Sequence, residues 1–175
     1  MVPGVLPNGC LPSYLTYFES LNEEDYDELG CLIWANDFAS YHNELLQKEL
    51  HQLRELYPHV NIIYADYYNA AKQHYRDPQK YRFNLKGALV ARCGSGGPYN
   101  FNASAQCGNY PATSCEDPNQ CVNWDGHHLT EAAYRWITKS LLEGPFTYPP
   151  IKNLSTFDIT EVQVKPKIEK PSNYI

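Results

Sequence analysis

The chain has 175 residues, of which 43% are hydrophobic, and its 14 basic and 20 acidic side chains give a formal net charge of −6. This length suits one domain with a sizeable core. The acidic balance, without any basic cluster, argues against nucleic acid or an anionic membrane surface as a partner, and because no run of eighteen apolar residues occurs we expect no membrane span.

The beginning of the chain predicts the end of a short buried strand followed by a turn. Residues 1 to 6 are mostly apolar but include Pro3 and Gly4, and residues 7 to 10 have the composition of a turn. Residues 13 to 30 are polar and acidic. We therefore predict a solvated loop, or the edge of a lid, over that stretch.

The next stretch predicts an alternation of helices and strands. Apolar residues recur at three- and four-residue steps from residue 36 to residue 57, which predicts a helix that Pro58 ends. The apolar run at residues 60 to 65 predicts a buried strand, and Asp66 leads into a short helix that reaches about residue 75. This order is typical of a parallel sheet with helices on both faces, of which only half is visible.

Six cysteines fall into three neighbouring pairs along the chain. Six cysteines allow fifteen connectivities, and we favour bridges between neighbours. The alternative is free buried thiols in a cytosolic protein, but the last four lie between residues 84 and 122, where Gly, Asn, Ser and Pro leave little core to bury them. The predicted bridges join Cys10 to Cys31, Cys93 to Cys107 and Cys115 to Cys121.

Two acceptor sequons for N-glycosylation agree with disulfide formation in an exported protein. They begin at Asn102 and Asn153, which we predict as glycosylation sites. The first residues have neither the basic start nor the apolar run of a signal peptide. We therefore predict that the complete protein is secreted or vacuolar, that this chain has no signal peptide, and that an N-terminal portion is missing.

The turn before the last predicted helix carries an acid and two imidazoles. Asp125 precedes His128 by three residues, and a turn at Gly126 can bring the carboxylate to one ring nitrogen of that histidine. A carboxylate fixes the tautomer of the base in a serine hydrolase in this way, so we predict Asp125 and His128 as catalytic residues. A metal site that also includes His127 is the alternative, which we disfavour because adjacent histidines point in diverging directions.

The last helix is predicted from residue 130 to residue 142, and its apolar face would anchor the turn that displays His128. After Gly144 the chain is polar and rich in proline. We therefore predict one domain over residues 1–144, followed by an extended tail at residues 145–175 that wraps on the domain in part.

Four stretches resemble, in matching order, the plant GDSL (SGNH-type) esterase/lipase family, and in particular its acetylajmalan esterase-like and sinapine esterase-like members. They are residues 3–10 (Pro-Gly-x-x-Pro-x-Gly-Cys), a stretch around residues 36–45 (Asn-x-x-x-x-x-His-Asn-x-x-Leu), residues 64–68 (Tyr-Ala-Asp-Tyr-Tyr) and residues 124–134. The resemblance covers the C-terminal half of such an enzyme. It implies an α/β fold, a flavodoxin-like three-layer α/β/α sandwich with a parallel sheet, incomplete in its N-terminal half.

The resemblance also implies hydrolysis of carboxylic esters of small plant metabolites or lipids, without a cofactor. In the family a serine in a Gly-Asp-Ser-Leu motif attacks the ester carbonyl, assisted by the pair that matches Asp125 and His128. This chain has no serine in that setting. We therefore predict that the chain alone is inactive, with a small-molecule ester and a missing N-terminal half as its partners. The alternative is a non-catalytic remnant that binds a ligand or a partner protein.

One residue of the turn departs from the family pattern. The family usually has an aliphatic residue where this chain has His127. We interpret His127 as a neutral substitution beside the substrate channel. The alternative is that it perturbs the titration of its neighbour His128.

Overall fold

A computed structural model of the chain describes residues 1–84 and 87–151. Within these residues the chain forms five two-residue strands and four α-helices, besides several short 3-10 helices. The strands are β1 (Val2–Pro3), β2 (Tyr64–Ala65), β3 (Cys93–Gly94), β4 (Thr113–Ser114) and β5 (Thr147–Tyr148). The α-helices are α1 (Pro12–Tyr17), α2 (Ile33–Leu56), α3 (Tyr67–Arg76) and α4 (Glu131–Glu143).

The main sheet has the strand order β1-β2-β5. β1 runs parallel to β2 and β5 runs antiparallel to it, while β3 and β4 form a separate antiparallel pair. The predicted α/β class, with a parallel pair and helices between the strands, is therefore confirmed. Within the described residues, no helix is long and apolar enough to cross a bilayer.

The second strand is much shorter than the predicted run at residues 60 to 65. A turn at residues 57–60 follows α2, in which the N–H of Val60 donates to the carbonyl of Tyr57. The carbonyl of Ile62 accepts a hydrogen bond from Arg54 Nε at 2.7 Å. Side-chain and turn contacts therefore occupy the backbone of this run, and only Tyr64–Ala65 pairs with strands on both sides.

The segment predicted as a loop over residues 13 to 30 begins with a helix, so that prediction is wrong at its start. α1 has Pro12 at its first turn, where the missing N–H of proline is not needed. Leu15 is fully buried against Leu32 and Ala35 of the α2 region. A single buried leucine in a six-residue helix produces no periodic pattern, which explains why the sequence did not predict it.

Helix α2 anchors the segment that follows β1 through two buried asparagines. Asn43 accepts from the Val5 N–H at 2.7 Å and donates to the Val5 carbonyl at 3.0 Å. Asn36 accepts from the Gly9 N–H at 3.0 Å. These asparagines belong to the family-like pattern at residues 36–45, and their side chains bind the backbone of Val5 and Gly9.

The main core lies between β2, α3 and α4. Small side chains of α3 allow α4 to pack closely, and the apolar face of α4 closes the core from the other side. The buried members from these three elements are Ala65, Ala70, Ala71, Tyr75, Ala133, Ile137 and Leu141.

The structure contains two of the three predicted disulfides, Cys10–Cys31 and Cys93–Cys107. The third expected bridge is not formed, because Cys115 and Cys121 are free and their sulfurs lie 4.0 Å apart. Burial raises the pKa of Cys121 to about 11, which keeps it in the unreactive thiol form.

The predicted tail begins at residue 145, but residues Thr147–Tyr148 form β5 and complete one side of the sheet. The sheet therefore extends past the predicted domain boundary at residue 144. The remainder of the predicted tail, from residue 152 onward, lies outside the described residues, as does the predicted glycosylation site Asn153.

Thr130 caps α4, and its removal gives a testable loss of stability. Its hydroxyl accepts from the Ala133 N–H at 3.1 Å and donates to the Cys121 carbonyl at 2.6 Å. We expect Thr130→Ala to lower the free energy of unfolding by about 1–2 kcal/mol, as measured by urea denaturation. Thr130→Ser keeps the hydroxyl and should lose less; an equal loss in both variants would contradict this role of the hydroxyl.

Candidate active site

The predicted catalytic turn is held by the carboxylate of Asp125. Its Oδ1 accepts from the backbone N–H of His127 at 3.0 Å and of His128 at 2.8 Å. Gly126, which lies between Asp125 and His127, has φ +98°, a conformation that strongly favours glycine. The turn therefore depends on glycine at one position and on a short acceptor side chain just before it.

The same carboxylate reaches the ring of His128. Oδ2 of Asp125 lies 2.8 Å from Nδ1 of His128. The side chain of Asp125 is 24% exposed, whereas that of His128 is 70% exposed. With the carboxylate ionised, Nδ1 carries the proton and donates it to Oδ2, so the lone pair of Nε2 is available on the solvent side.

The hydrogen bonds of this turn keep Asp125 ionised. Burial alone would raise the pKa of Asp125, but hydrogen bonds from the N–H and ring of His128 and from the N–H of His127 outweigh it. The pKa of Asp125 therefore lies below its ordinary value. An ionised carboxylate beside Nδ1 is what stabilises a histidine that accepts a proton at Nε2.

The flanking backbone ties the turn to the rest of the molecule. The N–H of Trp124 donates to the carbonyl of His128 at 2.8 Å, and the Trp124 carbonyl accepts from the N–H groups of Arg92 and Cys93 at 2.8 and 2.7 Å. The N–H of Ser13 in α1 donates to the Gly126 carbonyl at 3.1 Å. The turn is therefore held by α1 on one side and by the start of β3 on the other.

A family model for the GDSL-like lipase/acylhydrolases matches residues 1–141 of the chain. The chain belongs to this family. A GDSL esterase/lipase of Arabidopsis thaliana is 54% identical over 150 residues, which cover 85% of this chain and 39% of that protein. The sinapine esterase of Brassica napus is 47% identical over 163 residues, which cover 93% of this chain and 41% of that protein. The chain spans about two fifths of the length of these relatives.

The GDSL-family chain brings together the two side chains that the sequence predicted, although their catalytic role stays a prediction. The ring of His127 packs on Phe101 edge to face, with ring centroids 5.2 Å apart. In the part of the chain that the structure describes, no three histidine, cysteine or acidic side chains gather into a metal-binding group.

Sequence reasoning about this GDSL-family site missed Phe101. It lies after β3 in a loop without periodicity, so only the long-range fold places it beside the turn. The neighbouring Asn102, predicted as a glycosylation site, is exposed, and its Oδ1 accepts from the Ser104 N–H at 2.9 Å. Its modification stays a prediction.

Proposed function

We propose that this chain supplies the base and its orienting acid to the hydrolysis of carboxylic esters by a Ser-His-Asp mechanism. The single observation that carries the proposal is the 2.8 Å contact between Asp125 Oδ2 and Nδ1 of a largely exposed His128. Membership in the GDSL-like lipase/acylhydrolase family supports ester hydrolysis as the reaction class.

In the proposed mechanism, Nε2 of His128 takes the proton from a serine hydroxyl as the oxygen attacks the ester carbonyl. Asp125 stabilises the resulting imidazolium, which then gives its proton to the departing alcohol. Water, activated by the same nitrogen, releases the acyl group in the second half of the reaction. The serine would come from the part of the enzyme that lies beyond the matched region, because this chain has no Gly-Asp-Ser sequence.

We propose small plant metabolite or lipid esters as the substrate class. Support for this comes from the relatives, one of which is named a sinapine esterase and others GDSL esterase/lipases. In the chain itself, the turn at residues 124–129 contains no lysine or arginine, which suits a neutral ester better than a multiply charged anion.

The partner in this proposal is the remainder of such an enzyme. The matched 150 residues are 39% of the Arabidopsis relative, which is therefore about 385 residues long. One face of α2 exposes apolar side chains at spacings of four, three and four residues, a pattern that a folded protein normally covers. They are Trp34, Phe38, Tyr41 and Leu45, each 43–64% exposed. We propose that the remainder of the enzyme covers this face.

The test is a chimera that joins the part of the Brassica napus sinapine esterase preceding the matched region to this chain. Hydrolysis of p-nitrophenyl acetate and p-nitrophenyl octanoate would be measured for the chimera, the 175-residue chain and the parent esterase. We expect turnover by the chimera and none above background by the chain alone. Replacing the serine of the Gly-Asp-Ser-Leu motif by alanine provides the inactive control.

Two results would count against the proposal. Turnover by the chain alone would mean that another residue supplies the nucleophile. A chimera that is folded by circular dichroism but inactive, beside an active parent esterase, would favour the alternative of a non-catalytic module that binds a ligand or partner.

A further inference from the structure

Phe101 packs directly on the glycine of the candidate catalytic turn. Its side chain is buried, with 6% exposure, in the loop that the Cys93–Cys107 disulfide closes. A Cβ atom built on Gly126 would overlap the Phe101 ring. The ring therefore occupies the space that any other residue at position 126 would need.

Phe101 also contacts the residue on the other side of that glycine. The ring of His127 meets the Phe101 ring edge to face, with an interplanar angle of 86°. The ring of Tyr17 in α1 also meets it edge to face, with ring centroids 5.5 Å apart and an interplanar angle of 80°. Such aromatic pairs contribute beyond the area they bury. Phe101 therefore packs against Gly126 and the His127 ring, while the N–H of Ser13 donates to the Gly126 carbonyl.

All three donors to Asp125 belong to the residues that follow this glycine. They are the N–H of His127, the N–H of His128 and the His128 ring. Glycine at φ +98° has neighbouring conformations of similar energy, so a turn without lateral contacts would move these donors away from the carboxylate.

We propose that Phe101 is a positioning residue for the Asp125–His128 pair. Its ring fixes the backbone of Gly126 and His127, and this places the His128 ring on the Asp125 carboxylate. The inference rests on the proposed function, because it assigns Phe101 a task in the same site. It acts through the turn and touches no reacting atom.

The experiment uses the 175-residue chain and needs no turnover. Phe101→Leu and Phe101→Ala would be compared with Phe83→Leu, a matched control because Phe83 is also buried and its ring contacts His74. The carboxyl carbon of Asp125 is titrated by NMR, the Nδ1 proton of His128 is observed, and Tm is measured for each variant. Asp125→Asn serves as the reference without the carboxylate.

We expect both Phe101 variants to raise the pKa of Asp125 towards its ordinary value of 3.8, and to broaden or lose the Nδ1 proton signal. Phe83→Leu should lower Tm without moving either signal. If Phe101→Ala does not fold, Phe101→Leu, which keeps an apolar side chain, decides the question.

A folded Phe101→Leu chain with the wild-type titration and Nδ1 proton signal would overturn the positioning role while leaving the proposed function intact. A wild-type chain whose Nδ1 proton signal matches that of Asp125→Asn would show that the pair itself does not form. That result would overturn the proposed function and this inference together.

Discussion

Replacing Asp125 by Asn in a chimera that completes the enzyme is expected to lower kcat about 10⁴-fold with little change in KM. The Asn side chain can still accept from the N–H groups of His127 and His128, so the turn is kept. Its amide group, however, stabilises the tautomer with the proton on Nε2. The base would then have no free lone pair for the serine proton.

His128→Ala in the same chimera should lose kcat by about 10⁴- to 10⁶-fold, because it removes the base itself. His59→Ala is the matched control, since His59 is exposed and follows the end of α2. Initial rates with p-nitrophenyl acetate, together with active-site titration, measure the effect. A loss of less than about tenfold in either the Asp125 or the His128 variant would be incompatible with the Ser-His-Asp mechanism.

His74 is expected to make the fold sensitive to mild acid. The ring is fully buried between Tyr81 and Phe83, at centroid distances of 4.8 and 5.4 Å, and neither nitrogen has a hydrogen-bond partner among the described residues. Burial lowers the pKa of His74 to about 4 in the folded chain, against 6.5 when it is exposed. The folded state therefore favours the neutral form of the His74 ring.

The sign of the effect follows from which state binds the proton. Well above pH 6.5 the ring of His74 is neutral in both states and adds no pH dependence to the free energy of unfolding. Between pH 6.5 and about 4 the unfolded chain binds a proton that the folded chain does not, so the free energy of unfolding falls by roughly 3 kcal/mol in total. Below about pH 4 both states are protonated and the loss attributable to His74 is complete.

Urea denaturation at pH 7.0 and pH 4.5 would measure this contribution. The free energy of unfolding of the wild-type chain should fall from pH 7.0 to pH 4.5. That of His74→Phe should fall much less, because a phenyl ring fits the aromatic site without titrating. His59→Leu, at an exposed position, should behave as the wild type. Equal losses in wild type and His74→Phe would assign the acid sensitivity to other groups.

The sequence predicted the elements that local chemistry specifies. Helix α2 was predicted to within three residues because its apolar repeat spans six turns, and Pro58 explains why it ends at Leu56. Helices α3 and α4 follow the capping residues Asp66 and Thr130, whose side chains accept from backbone N–H groups. These signals lie within a few residues of the elements that they determine.

The elements that were missed depend on distant parts of the chain. β5 pairs with β2 across more than eighty positions, and nothing in the Pro-rich segment around Thr147 indicates that pairing. The strand at residues 60 to 65 was shortened by contacts from Arg54, which a local apolar pattern cannot indicate. Hydrogen bonds between different elements, and not local apolar patterns, therefore determine both the extent of β2 and the presence of β5.

The candidate site divides in the same way. The spacing of Asp125, Gly126 and His128 determines the pair because all of its hydrogen bonds are local. Phe101, whose ring packs against Gly126, comes from a loop some twenty-five residues earlier, and its place follows from the fold. His127 contacts Phe101, which none of the three sequence interpretations of His127 anticipated.

The central position of β2 between the first and the last strand has a consequence for biosynthesis. β1 precedes β2 along the chain, but β2 gains its second neighbour only when residues 147 and 148 have left the ribosome, and Arg54 reaches the Tyr148 carbonyl only then. Contacts between such distant residues form slowly and leave a strand edge open meanwhile. Folding of this chain therefore has to finish after translation of the β5 region, and nascent chains that stop before it expose β2 to chaperones or to aggregation.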